Sequence, residues 1–321
     1  MYRRITVILG AGASRAVSYG RNKSIRSPLD SDFFELLQKL EPKAKDEPAV
    51  SELIPWILAS DEPIWNSMER TFYTLHVRAR MSEVLFPEQN IEATSSKLLD
   101  CFTRSINALL REAHGTELCD FHVQLLDKLQ SLDAIITFNY DLVAERALKR
   151  LKSGSPFGDW IYGLQPRPNI VEEIPTIYKL HGSVNWINQP QTAGFKARQG
   201  SWADFETEPG YRAHSDFPFP IMLPFWDKKI EDKPWSEIWR RAAAHLNRCS
   251  QLIVWGYSLP QTDLKALELV KLSLGTGCLQ DICVIDPAGD VRTRWRAMFP
   301  KQKFWPYERI EEFLLGPPSW W

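Results

Sequence analysis

Five short apolar runs constrain the fold of this chain more than any other feature. They are Ile5–Leu9, Ala134–Phe138, Ile177–Leu180, Leu252–Trp255 and Ile282–Ile285, and most are rich in β-branched residues. Each has the length of a strand buried on both faces. Helical spacing fills the gaps. Phe33, Leu36, Leu37 and Leu40 follow a start that Asp30 or Ser31 would cap, and further helices are predicted over 118–129, 142–151, 235–248, 262–273 and 290–298. Strands alternating with helices predict an α/β protein, a doubly wound parallel sheet with helices on both faces.

Two segments depart from the alternation. Residues 41–115 hold apolar helical stretches and no clear strand; Leu98, Leu99, Phe102, Ile106, Leu109 and Leu110 share one face, and Gly115 would stop that helix. They are expected to be a helical insertion, with 1–40 and 116–321 forming the sheet domain. Residues 188–234 are rich in Pro, Gly and aromatics and poor in periodicity. They are expected to be a long loop region, which is usually functional.

Composition narrows the function. With 44% hydrophobic and 25% charged residues in 321, the chain is globular rather than disordered. A net charge of −1 cannot hold nucleic acid or anionic lipid by bulk charge, so direct nucleic-acid binding is not expected. The five cysteines are odd in number and lack C-x-x-C spacing. Neither a disulfide scaffold nor a four-cysteine zinc site is expected, and a reducing cytoplasm is. No apolar run reaches the ~18 residues of a membrane span. Residues 1–13 imitate a short signal peptide, but the apolar core Ile5–Leu9 has strand length.

Ligands of an open parallel sheet bind beyond the carboxyl ends of its strands. The runs above release Gly10-Ala11-Gly12-Ala13-Ser14, Asn139-Tyr140-Asp141, His181-Gly182-Ser183, Gly256-Tyr257-Ser258 and Asp286. Gly10 and Gly12 permit positive φ and close approach to a pyrophosphate, though they equally suit a tight strand–helix turn. Asn139 can hold a ribose hydroxyl or a water, or cap the next helix beside Asp141. His181, between an apolar strand and a small-residue turn, is placed to act as a general base near neutral pH. Neither Ser14 nor Ser183 sits in a G-x-S-x-G elbow.

In order, these blocks resemble the sirtuin family, and most closely its divergent bacterial NAD-hydrolase branch of antiphage defence. The blocks are Gly10 to Ser14, Pro28 to Phe33, Thr137 to Asp141, Lys179 to Ser183, and Gly256 to Leu259 with Asp263 close behind. The resemblance implies a Rossmann-like sheet holding NAD. On that basis Asn139 and His181 are the catalytic pair. Gly10, Ala11, Gly12, Ser14, Asp32, Phe33, Asp141, Gly256, Ser258 and Asp286 are the cofactor-binding set, and no metal is implied. Gly10, Ala11 and Gly12 would face the phosphates, Ser258 the adenosine, and Asp286 the adenine ribose. Departures matter: residues 182–248 contain no Cys for the deacylases' zinc module, Phe138 replaces their Gln, and Phe34 replaces the Arg after their Asp-Phe pair.

The implied reaction is gated hydrolysis of NAD to nicotinamide and ADP-ribose. Uncontrolled turnover would kill a cell, so a homo-oligomer or an activating partner, an ATPase or a nucleic-acid-guided protein, is expected as the gate. Two alternatives stay open: an NAD-dependent deacylase or ADP-ribosyltransferase, and a non-catalytic nucleotide-binding subunit.

Overall fold

The computed structural model describes residues 3–19, 24–40, 67–85, 91–152, 158–165, 174–189, 194–197, 221–222 and 230–321. In chain order these hold β1 (Ile5–Leu9), α1 (Ala11–Ser14), α2 (Phe33–Leu40), α3 (Met68–Leu85), α4 (Ile91–His114) and α5 (Asp120–Leu126). Then come β2 (Ala134–Thr137), α6 (Val143–Leu151), β3 (Thr176–Lys179), β4 (Trp186–Gln189) and β5 (Gly194–Ala197). The last part holds α7 (Trp235–Asn247), β6 (Gln251–Trp255), α8 (Leu264–Gly275), β7 (Asp281–Ile285), α9 (Gly289–Met298), β8 (Lys303–Tyr307) and α10 (Ile310–Leu315).

Six strands form one parallel sheet in the order β3-β2-β1-β6-β7-β8. This is the Rossmann-like order, with its topological switch between β1 and β6. The strands end level. Leu9 pairs with Thr137 and Trp255, Thr137 with Lys179, Trp255 with Ile285, and Ile285 with Tyr307. Register therefore carries the turns after β1, β2, β3, β6 and β7 to one edge.

Apolar residues sort into two cores. The larger one covers both faces of the sheet, and β1, β2, β6 and β7 are buried along their length. The smaller one gathers Phe33 and Leu37 of α2, Phe72 of α3 and Phe102, Ile106 and Leu109 of α4. Tyr140 and Leu142, from the turn after β2, complete it. Phe72 and Phe102 meet at a ring-centroid distance of 4.0 Å. Each such fully buried side chain contributes ~1.5–3 kcal/mol of transfer free energy. Thus α2 buries its apolar face with α3 and α4 rather than on the sheet.

Four elements differ from expectation. β8 and α10 lie beyond the last predicted helix. The sequence Lys303–Tyr307 alternates poorly and contains Pro306, which only an edge strand tolerates; β8 is that edge. Within 188–234, expected as loop, β4 and β5 pair antiparallel, and Gly182 bridges Ile221. The rest of that stretch beyond residues 221–222 and 230–234, like 41–66 and 86–90, falls outside the described residues.

The glycine turn also has a different physical reason from the one expected. Neither Gly10 nor Gly12 adopts positive φ; the left-handed residue is Gly256, at φ +63°. A Cβ on Gly256 would stand 2.2 Å from the Ala13 amide nitrogen, and one on Gly10 would stand 2.3 Å from the Gly256 carbonyl oxygen. The turns after β1 and β6 touch backbone to backbone, and the Gly12 amide donates to the Gly256 carbonyl at 3.0 Å. The glycines let the two halves of the sheet meet at the switch point.

Candidate active site

A cavity of about 900 Å³ opens at this edge, between the two cores. It lies within the ~300–1,000 Å³ range of ligand pockets. One wall is the row of strand ends, including Gly10, Asn139, His181, Gly256 and Asp286. The facing wall is Ser67, Met68 and Glu69 at the start of α3 with Ile106 and Leu110 of α4.

His181 lines this cavity and is only 5% exposed. Its backbone is fixed: the Met222 amide donates to its carbonyl at 2.7 Å, and Trp239 Nε1 donates to the Leu180 carbonyl at 3.1 Å. Gly182 follows at φ +85°, a conformation that favours glycine. The ring stands edge-on to Phe138 at 5.1 Å and tilted to Tyr140 at 6.2 Å. Tyr257 stacks on Phe138 at 4.3 Å, with planes 9° apart. His181 Nε2 lies 2.8 Å from Asp263 Oδ2, and both side chains are buried. Burial raises the Tyr257 phenol well above its usual range, and the Asp263 and Glu69 charges raise it further.

Asn139 is held from the other side. Its Nδ2 donates to the Gly10 carbonyl at 2.8 Å and to Ser14 Oγ at 2.9 Å. Ser14 Oγ in turn donates to Asp141 Oδ2 at 2.6 Å, and Asp141 Oδ1 accepts the Val143 amide at 3.0 Å. Burial alone would raise the Asp141 carboxyl. The charges of His114 and Lys179, with the Ser14 and Val143 bonds, outweigh it and hold the group below its ordinary value. Lys179 Nζ reaches the Asp141 carbonyl and pairs with Glu145 at 2.9 Å, so the turn is braced from beneath.

The third region is cationic. Arg15 and Arg26 line the cavity, and Arg15 pairs with Asp32. Burial, then the Arg26 charge, pulls the Arg15 guanidinium down to about 10, so it is still charged at neutral pH. Few backbone amides are free beside it. Gly10, Gly12 and Ala13 donate their N–H groups to the Trp255, Gly256 and Gly10 carbonyls. Past β7, Asp286 lines the cavity with Glu308 and Arg309. Its Oδ1 accepts the Ala288 amide at 2.9 Å, and burial raises its carboxyl above the ordinary range.

Of the sequence-predicted residues, Asn139, His181, Gly10, Ala11, Gly12, Phe33, Asp141, Gly256, Ser258 and Asp286 line this one cavity. Two stand behind it. Ser14 is buried between Asn139 and Asp141, and Asp32 lies behind Arg15. Sequence reasoning assigned no role to Asp263, Arg15, Glu69 or Tyr257. Asp263 carried a signal, an Asp opening an apolar helical run, which reads as an N-cap and hides its second partner.

Residues 133–270 match the family model described as the SIR2-like domain. No curated protein matches the chain. Among solved structures, one similar chain is Sir2 in complex with the inhibitor EX-527, 2′-O-acetyl-ADP-ribose and a deacetylated p53 peptide. It is 13% identical, with 98% of this chain and 91% of that chain covered and a TM-score of 0.42. Another is Sir2 with a p53 peptide and NAD+, 12% identical, with 98% and 91% covered and a TM-score of 0.38.

Proposed function

We propose that this chain binds NAD across the switch point of its sheet and hydrolyses it to nicotinamide and ADP-ribose. What carries the reading is convergence: Asn139 and His181, from different strand ends, line one cavity of dinucleotide scale. The match to the SIR2-like domain over 133–270 supports NAD as the ligand.

In this reading the nicotinamide–ribose bond breaks with its electron pair going to the ring nitrogen, which neutralises the pyridinium. A water oxygen forms the new bond to the ribose carbon, and its proton passes to His181. A positioned base of this kind contributes ~10²–10⁴-fold. Asn139 Nδ2 is already engaged with protein acceptors, so its Oδ1 is the atom offered to a ribose hydroxyl or the water. Arg15 and Arg26 face the pyrophosphate, and Asp286 accepts from the adenine ribose. Gly10, Ala11, Gly12, Phe33, Gly256 and Ser258 shape the walls, while Ser14, Asp32 and Asp141 hold the groups that touch NAD.

Hydrolysis is favoured over transfer to a protein because His181 is enclosed by Phe138, Tyr140 and Asp263. The reading extends to a gated antiphage effector in the cytoplasm, switched on by assembly or by a partner protein, with residues 41–115 as a helical insertion. Among the described residues no helix is long and apolar enough to cross a membrane. The test is product analysis in ¹⁸O-water, with and without acyl-peptides and acceptor proteins. ¹⁸O in ADP-ribose supports hydrolysis. Acyl-ADP-ribose or ADP-ribosylated protein as the main product overturns it.

A further inference from the structure

The Asp263 carboxylate is anchored through one oxygen and lies against His181 with the other. Oδ1 accepts the Ala266 amide at 3.1 Å and so caps α8, while Oδ2 faces His181 Nε2 at 2.8 Å. The loop that carries it is held in one conformation. Leu259 is buried at φ +52°, a left-handed value rare for Leu, and the Asp263 amide donates to the Pro260 carbonyl at 3.1 Å. The neighbouring Thr262 hydroxyl donates to Glu69 across the cavity. The positive end of a helix favours negative charge at its cap, so the α8 terminus supports the carboxylate where it meets the imidazole.

A ring nitrogen that turned its lone pair toward a carboxylate oxygen at 2.8 Å would meet repulsion. The neighbouring carboxylate charge therefore favours the proton on Nε2, which leaves Nδ1 as the nitrogen with a lone pair in the neutral ring. We propose that Asp263 is a positioning residue for His181, holding the Nε2–H tautomer so that Nδ1 is the atom that takes the reaction's proton. The second half rests on the reading of His181 as the base; the first does not.

The experiment uses the full chain labelled with ¹⁵N-histidine. Long-range ¹H–¹⁵N correlation spectra are recorded at a pH where the His181 ring is neutral, with its signals assigned by their loss in His181→Gln. Asp263→Asn is measured beside the wild type, because Asn caps a helix as well as Asp does and α8 should survive. The expected wild-type signature is Nε2–H. In Asp263→Asn it shifts toward Nδ1–H, kcat for nicotinamide release falls about 10²–10⁴-fold, KM moves little, and Asp263→Glu recovers part of the loss. An Nδ1–H signature in the wild type, or an Asp263→Asn variant whose kcat is intact or whose loss falls on KM, overturns the proposal. If the wild type releases no nicotinamide, the hydrolase reading fails, and the tautomer spectra still decide whether Asp263 sets the ring.

Discussion

Asn139 Nδ2 donates to Ser14 Oγ at 2.9 Å, and this bond fixes which end of the carboxamide faces the cavity. The Gly10 carbonyl, 2.8 Å from the same nitrogen, is an obligate acceptor, so the NH₂ end must point inward. Ser14 is thus a strut between Asn139 and Asp141. Ser14→Ala removes a buried group that serves both, and an unmet polar partner costs ~1–3 kcal/mol. We expect kcat for nicotinamide release to fall about ten- to hundredfold, with the melting temperature lowered. Steady-state kinetics and a thermal melt check both.

Arg15 supplies positive charge where the turn amides are already bonded within the protein. Arg15→Ala should therefore raise KM for NAD about ten- to hundredfold, the worth of one charged hydrogen bond, with kcat little changed. Calorimetric titration with ADP-ribose should show the same loss, since that ligand keeps the pyrophosphate.

Asp286 and Glu308 place two carboxylates past β7. A 2′-phosphate carries about two negative charges at neutral pH and would be repelled. The wild type should prefer NAD over NADP by more than about tenfold, and Asp286→Asn should narrow the preference. Because burial raises the Asp286 carboxyl, it neutralises at a higher pH than an ordinary Asp. The preference should therefore shrink as pH falls through the acid range, which a kcat/KM ratio measured against pH reports.

His122 gives a stability prediction. It is buried against Trp255 at 4.4 Å, and burial drives its value down to about 3. Its folded value lies below its unfolded one, near 6.5. The stability it permits is thus whole above pH 6.5 and is lost as pH falls toward 3. At ~1.4 kcal/mol per unit, about 2 kcal/mol should vanish between pH 6.5 and pH 5. His122→Phe keeps an aromatic ring on Trp255 and should lose less over that interval in urea titrations.

The strands that carry the site were legible because burial on both faces forces apolar β-branched runs, and β1, β2, β6 and β7 all have them. Level strand ends then brought Asn139, His181 and Asp286 together. What stayed hidden depends on pairing across the fold. Asp263 reads as a helix cap, and nothing local shows that its second oxygen meets His181. Gly10 and Gly12 read as a phosphate turn, whereas their closest neighbour is the Gly256 backbone. β8 is an edge strand with no fully buried residue, so it lacks the apolar β-branched run that marks the inner strands.

The most direct measurement of the central claim is nicotinamide and ADP-ribose release from NAD by the wild type, Asn139→Ala and His181→Ala chains, each shown to be folded by circular dichroism. The account predicts equimolar release by the wild type and losses of at least about a hundredfold in both variants. Undiminished release by either variant, or NAD that binds the assembled wild type and stays intact, would contradict it.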